Sequence, residues 1–138
     1  MNDAFTSVTP RNAIAPLSQA GNAAIVGAII DTQGYAETLY VINTGVIVTE
    51  GASYAVLLED GNDPALADHA PVVAGLQGTA ALADFTGAGN QSFKIGVTNQ
   101  KRYNRLTITP TGNTGAALLS AVALLQRPTL SPTPNPPV

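Results

Sequence analysis

The chain reads as all-β: a single-domain antiparallel β-sandwich, jelly-roll or immunoglobulin-like, with an extended N-terminal arm and a Pro-rich C-terminal tail. Three observations predict this. About seven short apolar segments are separated by Gly- and Asn-containing turns, the pattern of a sandwich rather than of alternating strands and helices. In several of them apolar and polar residues alternate with the period of two that a half-buried strand requires. The clearest case follows Asn104, where Leu106 and Ile108 fall on one face and Arg105, Thr107 and Thr109 on the other.

Residues 1–22 are rich in Asn, Ser, Thr and Pro, and Pro10 and Pro16 deter a helix, so this stretch reads as an extended arm. Its spaced apolar residues Phe5, Val8, Ile14 and Leu17 are denser than in most disordered tails, which favours ordering on a neighbour. The sandwich is expected over residues 23–127. It opens with the apolar run Ala24 to Ile30, closed by Asp31-Thr32-Gln33-Gly34. From Glu37 to Thr44, Leu39 and Val41 alternate with Tyr40 and Ile42; both faces are apolar, which predicts a central strand covered on both sides. Val46-Ile47-Val48 is a β-branched run, and Ser53 to Glu59 follows as a strand with Tyr54, Val56 and Leu58 on one face, giving two hairpin-like connections.

Periodicity fades from Asp60 to Gly89, which holds a short strand at Val72 to Ala74 and a helical turn at Ala80 to Phe85 at most. It returns at Ser92 to Thr98, with Phe93, Ile95 and Val97 inward and Ser92, Lys94 and Thr98 outward. This segment is expected to pair with Tyr103 to Thr109 as an antiparallel hairpin. In Ala116 to Gln126 the Ala and Leu content favours a helix, but its place after a turn and the following Pro128 suit a closing strand, and strand is the reading. Residues 128–138 contain five prolines in eleven positions and are expected to be polyproline-like or disordered.

Composition narrows the function classes. Charged residues make up 11% of the chain against a usual value of about 25%, while hydrophobic residues make up 45%. A solvated monomer would carry more charge, so part of the surface is expected to be covered by a partner or by copies of the chain. A net charge of −3 argues against nucleic acid as a partner. No segment approaches the ~20 apolar residues of a membrane span, so no membrane association is expected. The absence of cysteine removes thiol chemistry and Cys-ligated zinc.

Few residues are suited to chemistry. His69 is the single histidine, with no nucleophile elbow to serve it, and reads as a solvated loop residue. Glu59, Asp60, Asp63 and Asp68 offer oxygen ligands, but Pro64 stands where an EF-hand loop needs one. Gly87-Ala88-Gly89 lacks the context of a phosphate-binding loop and reads as a turn. A carbohydrate-binding module would stack sugars on exposed aromatics, yet these are 5% of the chain and none is Trp. No enzyme activity, no cofactor and no metal are expected. Lys101, Arg102 and Arg105 flank Tyr103 and have two readings: a contact with an acidic partner surface, or a hydrated strand edge guarded by charge.

The run Lys101-Arg102-Tyr103-x-Arg105-Leu106-Thr107 occurs with Asp31-x-Gln33-Gly34-Tyr35, Asn43-Thr44-Gly45 and Leu57-x-Glu59-Asp60 in an order and spacing that resembles small proteins of tailed-bacteriophage head modules, the capsid decoration or cement proteins. The resemblance covers about Ala24 to Pro128; the proline tail and the Ala-rich middle depart from it. It implies a virion structural protein on the outer surface of the capsid, made in the host cytoplasm, with the major capsid protein and copies of itself, as homo-dimer or homo-trimer, for partners. A tail or head-completion component is the first alternative, and a carbohydrate-binding surface module the second. It also implies that the arm, through Phe5, Val8, Ile14 and Leu17, and the Lys101, Arg102, Tyr103 and Arg105 cluster lie near contacts.

Overall fold

The computed structural model describes residues 3–87 and 89–133. In chain order the elements are α1 (Ala4–Ser7), β1 (Val8–Gln19), β2 (Ile25–Val26), β3 (Ile30–Asp31), β4 (Tyr35–Ile47), β5 (Ser53–Gly61), β6 (Ala70–Pro71), β7 (Leu76–Gln77), α2 (Ala80–Ala83), β8 (Phe85–Thr86), β9 (Ser92–Thr98), β10 (Tyr103–Thr111) and β11 (Ala117–Pro128). Sheet A has the order β1-β11-β4-β9-β7 and sheet B the order β2-β10-β5-β6, with β3 also on β10 and β8 also on β5. All these pairs are antiparallel.

This is a jelly roll. The chain behaves as one long hairpin whose arms meet as β1 with β11, β2 and β3 with β10, β4 with β9, and β5 with β6, then rolls so that β11 also joins β4 and β10 also joins β5. The rolling corrects two expectations. Ser92–Thr98 and Tyr103–Thr111 do not pair with each other: β9 lies beside β4 in sheet A and β10 beside β5 in sheet B. Val46 and Ile47 likewise finish β4 instead of starting a hairpin, and the chain crosses to the other sheet before β5. In both places the turn spans the two layers, which a local pattern does not distinguish from a turn within one layer.

The core is where period-two patterning placed it. Tyr40 and Ile42 from β4, Tyr54, Val56 and Leu58 from β5, Ile95 and Val97 from β9, and Leu106 and Ile108 from β10 are all buried between the sheets. Ala117, Leu119, Ala121, Ala123 and Leu125 do the same from β11, so its Ala- and Leu-rich sequence forms a strand despite its helical propensity. The alternation decides: one face of five small or apolar residues fits against Tyr40 and its neighbours, and burial outweighs a propensity difference of a few tenths of a kcal/mol per residue.

Val8–Gln19, read from the sequence as part of a detached arm, is the edge strand of sheet A, paired with β11 along its length. Its prolines obscured this, although an edge strand tolerates them because one side needs no donors. Its register shifts on either side of Ile14, which breaks the alternation. At the first shift the Ala13 carbonyl leaves the ladder and accepts from the Ala28 amide at 2.8 Å, joining the two sheets through the main chain. Gly27 sits at this junction and donates to the Leu106 carbonyl at 2.8 Å. The opposite margin is closed by stacked rings: Tyr54 on Phe85 at 4.7 Å and Phe85 on Phe93 at 4.9 Å.

Candidate interaction surface

The outward positions of sheet A form a face with little charge. Register places Leu124 of β11 beside Leu39 of β4, and Val122 beside Val41, making a four-residue aliphatic block at the centre of the sheet. Pro10 and Asn12 flank the block from β1, and Gly96 and Lys94 from β9. Ser120, Asn43 and Ser92 continue the face at one end and Gln126, Glu37 and Thr98 at the other. Leu118 and Val122 are 43% and 38% exposed. The sequence predicted that β4 would be central and covered on both faces; it is central, but Leu39 and Val41 on its outward side are only half-buried.

A second apolar surface lies where the termini meet. The amide of Thr133 donates to the Thr6 carbonyl at 3.0 Å, the Ser131 hydroxyl donates to the same oxygen at 3.0 Å, and the Thr133 hydroxyl donates to the Val8 carbonyl at 2.9 Å. The start of the Pro-rich tail is thereby strapped along residues 6–8; residues 134–138 lie outside the described part. Phe5 and Leu130 in these terminal segments are 73% and 83% exposed, and a hollow of about 460 Å³ is lined from both ends of the chain by Ser7, Val8, Gln126, Arg127, Pro128 and Ser131. Of the other arm residues expected at a contact, Val8 and Leu17 are half-buried, and Ile14 is 3% exposed and belongs to the chain's own core.

The basic cluster is turned toward acids of its own chain. Arg102 donates through Nε and Nη2 to both oxygens of Asp31, at 3.0 and 2.9 Å, and lies over the Tyr103 ring at 5.1 Å. Arg105 Nη2 donates to Glu59 Oε1 at 3.1 Å, and Lys101 Nζ is 3.5 Å from Asp60 Oδ1. Glu59 Oε2 also meets His69 Nδ1 at 2.6 Å, which ties the loop after β5 back onto that strand. The guanidinium of Arg102 holds the Asp31 carboxyl below its ordinary value. The acids that suggested a cation loop are used in the same way. Asp68 accepts from the amides of Asn62 and Asp63 at 2.9 and 3.1 Å, which keeps its carboxyl below the usual range. Asp63 Oδ2 accepts from Ala65 and Ala67. Among the described residues no group of three or more His, Cys, Asp or Glu side chains is placed to hold a metal ion.

Inside the sandwich, Asn104 is buried in β10 and its side-chain oxygen accepts from the Tyr40 hydroxyl. Thr38 donates to Asn99 Oδ1 at 2.9 Å, and Asn99 Nδ2 donates to the Tyr35 carbonyl at 3.0 Å, completing a polar seam between the sheets. Burial pushes the Tyr40 hydroxyl well above the ordinary phenol range, so it stays a donor. The sequence reading missed Asn104 because it stands at the start of a strand beside turn residues. Its place two residues before Leu106, on the inward phase, was the available signal.

Tyr40, Tyr54 and Phe85 are buried and Tyr35, Phe93 and Tyr103 are half-buried, leaving Phe5 as the one exposed Phe or Tyr ring among the described residues. Among the described residues no helix is long and apolar enough to cross a membrane.

No protein-family model matches the chain, and no curated protein does. Several solved structures are similar in outline, among them the following three. A chain of the disulfide-linked pili of Bacillus endospore appendages shares 13% identity at a TM-score of 0.46, covering 90% of this chain and 91% of that one. A chain of the infectious bursal disease virus Gx strain shares 14% at 0.47, over 86% of this chain and 31% of that one. The CBM22-1 and GH10 modules of a Clostridium thermocellum endo-1,4-β-D-xylanase share 11% at 0.43, over 94% of this chain and 26% of that one.

Proposed function

We propose that the chain is a virion structural protein of a tailed bacteriophage: a decoration, or cement, protein that binds the outside of the head shell and bridges major capsid subunits. The observation that carries this reading is the aliphatic, charge-poor outer face of sheet A, which costs solubility unless a neighbour covers it. The resemblance of the Lys101-Arg102-Tyr103-x-Arg105-Leu106-Thr107 run and its companion motifs to head-module proteins supplies the kind of assembly, a phage head, in which that covering takes place. The jelly roll is a fold that capsid and lectin domains share, an analogy that agrees with this reading. The work is mechanical. A shell packed with DNA is pushed outward, and a protein touching two subunits adds contacts that must break together before the shell yields. Phe5 and Leu130 on the strapped termini are the side chains assigned to the shell.

The test mixes the purified chain with expanded capsids that lack it and measures co-sedimentation. Saturable binding to the capsids, absent with an unrelated protein of similar charge, supports the reading; no binding at any ratio overturns it.

A further inference from the structure

We infer that the outer face of sheet A is a two-fold interface between two copies of this chain. The inference rests on the decoration reading for its purpose but not for its test. A second copy is the occupant that the charges favour. Lys94 makes no ion pair with any described residue, while Glu37, on the same face, has one exposed partner, Arg127 Nη1 at 3.2 Å. The two lie on opposite sides of the Leu124–Leu39–Gly96 row: Lys94 is in the row with Val41, and Glu37 in the row with Thr98. A two-fold axis running across the strands along the leucine row sets Leu39 and Leu124 against their own copies. It carries Lys94 of each chain toward Glu37 of the other. Self-complementarity of this kind is what an isologous contact requires.

The area is sufficient. From Leu118 to Gln126 the face runs about 27 Å, and four strands with their side chains span about 22 Å, roughly 600 Å² in projection. A corrugated sheet carries more accessible surface than its projection, which brings the face near the ~800 Å² per partner of a standard interface. Supply points the same way, because the face is in water from the moment of folding and another copy is the partner present at equal concentration then. Pairing yields a clamp with two shell-binding ends, so the dimer, not the single chain, is the bridging unit.

Sedimentation velocity on the isolated protein tests this, because the prediction is made without capsids. The wild type is expected to sediment as a dimer with Kd at or below roughly micromolar. Val122→Asp, and independently Leu39→Asp, leave the circular dichroism spectrum unchanged and give monomers. Lys94→Glu and Glu37→Lys each weaken the dimer about tenfold, and the double exchange restores most of the affinity. A monomeric wild type, a dimer indifferent to both aspartates, or an exchange that restores nothing overturns the inference. A monomer that still binds capsids leaves the decoration reading standing, and a dimer that binds none sinks that reading alone.

Discussion

Replacing Asn104 by Ala removes the acceptor for the Tyr40 hydroxyl inside the sandwich, where both residues are nearly inaccessible to water. The lost hydrogen bond is worth about 1 kcal/mol net, and a buried hydroxyl left without a partner costs about 1–3 kcal/mol more, for a total near 3 kcal/mol. With an unfolding entropy of about 0.3 kcal/mol/K for a chain of this length, that lowers Tm by about 10 °C. Tyr40→Phe removes the hydroxyl and strands the buried Asn104 side-chain oxygen, and is expected to cost about 1–3 kcal/mol. In the Asn104→Ala, Tyr40→Phe double variant no hydroxyl is stranded, so its cost should fall at least about 1 kcal/mol below the sum of the singles. Urea unfolding at one fixed protein concentration provides the four stabilities, which keeps any self-association constant across the cycle. Additive singles, or an Asn104→Ala variant within about 0.5 kcal/mol of wild type, would refute the polar-seam account.

Further outcomes follow from the same geometry. A Cβ at Gly27 would stand 2.5 Å from the Leu106 carbonyl and 3.0 Å from that of Ala13, so Gly27→Ala is expected to cost about 1–3 kcal/mol, read by urea unfolding. The Asp31 carboxyl is held below its ordinary value of 3.8 in the folded state, so its stabilisation is present above that pH and lost as pH falls through the folded value. The Tm difference between wild type and Asp31→Asn should therefore be small but constant from pH 7 to pH 5 and shrink as pH falls below 3.8. Removing residues 129–138 frees the Thr6 and Val8 carbonyls, and hydrogen exchange should rise at residues 4–8 while β4 and β10 stay protected.

Much of this architecture is legible in the amino-acid order. The period-two runs around Tyr54, Ile95 and Leu106 specify which side chains enter the core, and the run ending at Gln126 is a strand because its alternate positions are small or apolar throughout. Sheet membership is less legible. A jelly roll sends the chain from one layer to the other between β4 and β5 and again between β9 and β10, and the turns carry no mark of which layer comes next. The edge strand β1 was hidden by Pro10, Pro16 and two register shifts, features that an edge tolerates and a central strand does not. As for the interaction surface, the low charge announced that a face would need covering, but Leu39, Val41, Val122 and Leu124 form one block only after β11 inserts beside β4, a contact between distant parts of the chain. The ion pairs of Arg102 with Asp31 and Arg105 with Glu59 have the same origin, which is why the basic run alone left two readings open.

The central claim is that this chain stabilises a shell by bridging it through a covered apolar face. The most direct measurement is the temperature at which DNA-filled heads rupture after saturation with wild-type protein or with Val122→Asp. Wild type should raise the rupture temperature, and the variant, though folded and bound, should raise it much less. Equal protection by both proteins, or protection by neither, would contradict the account.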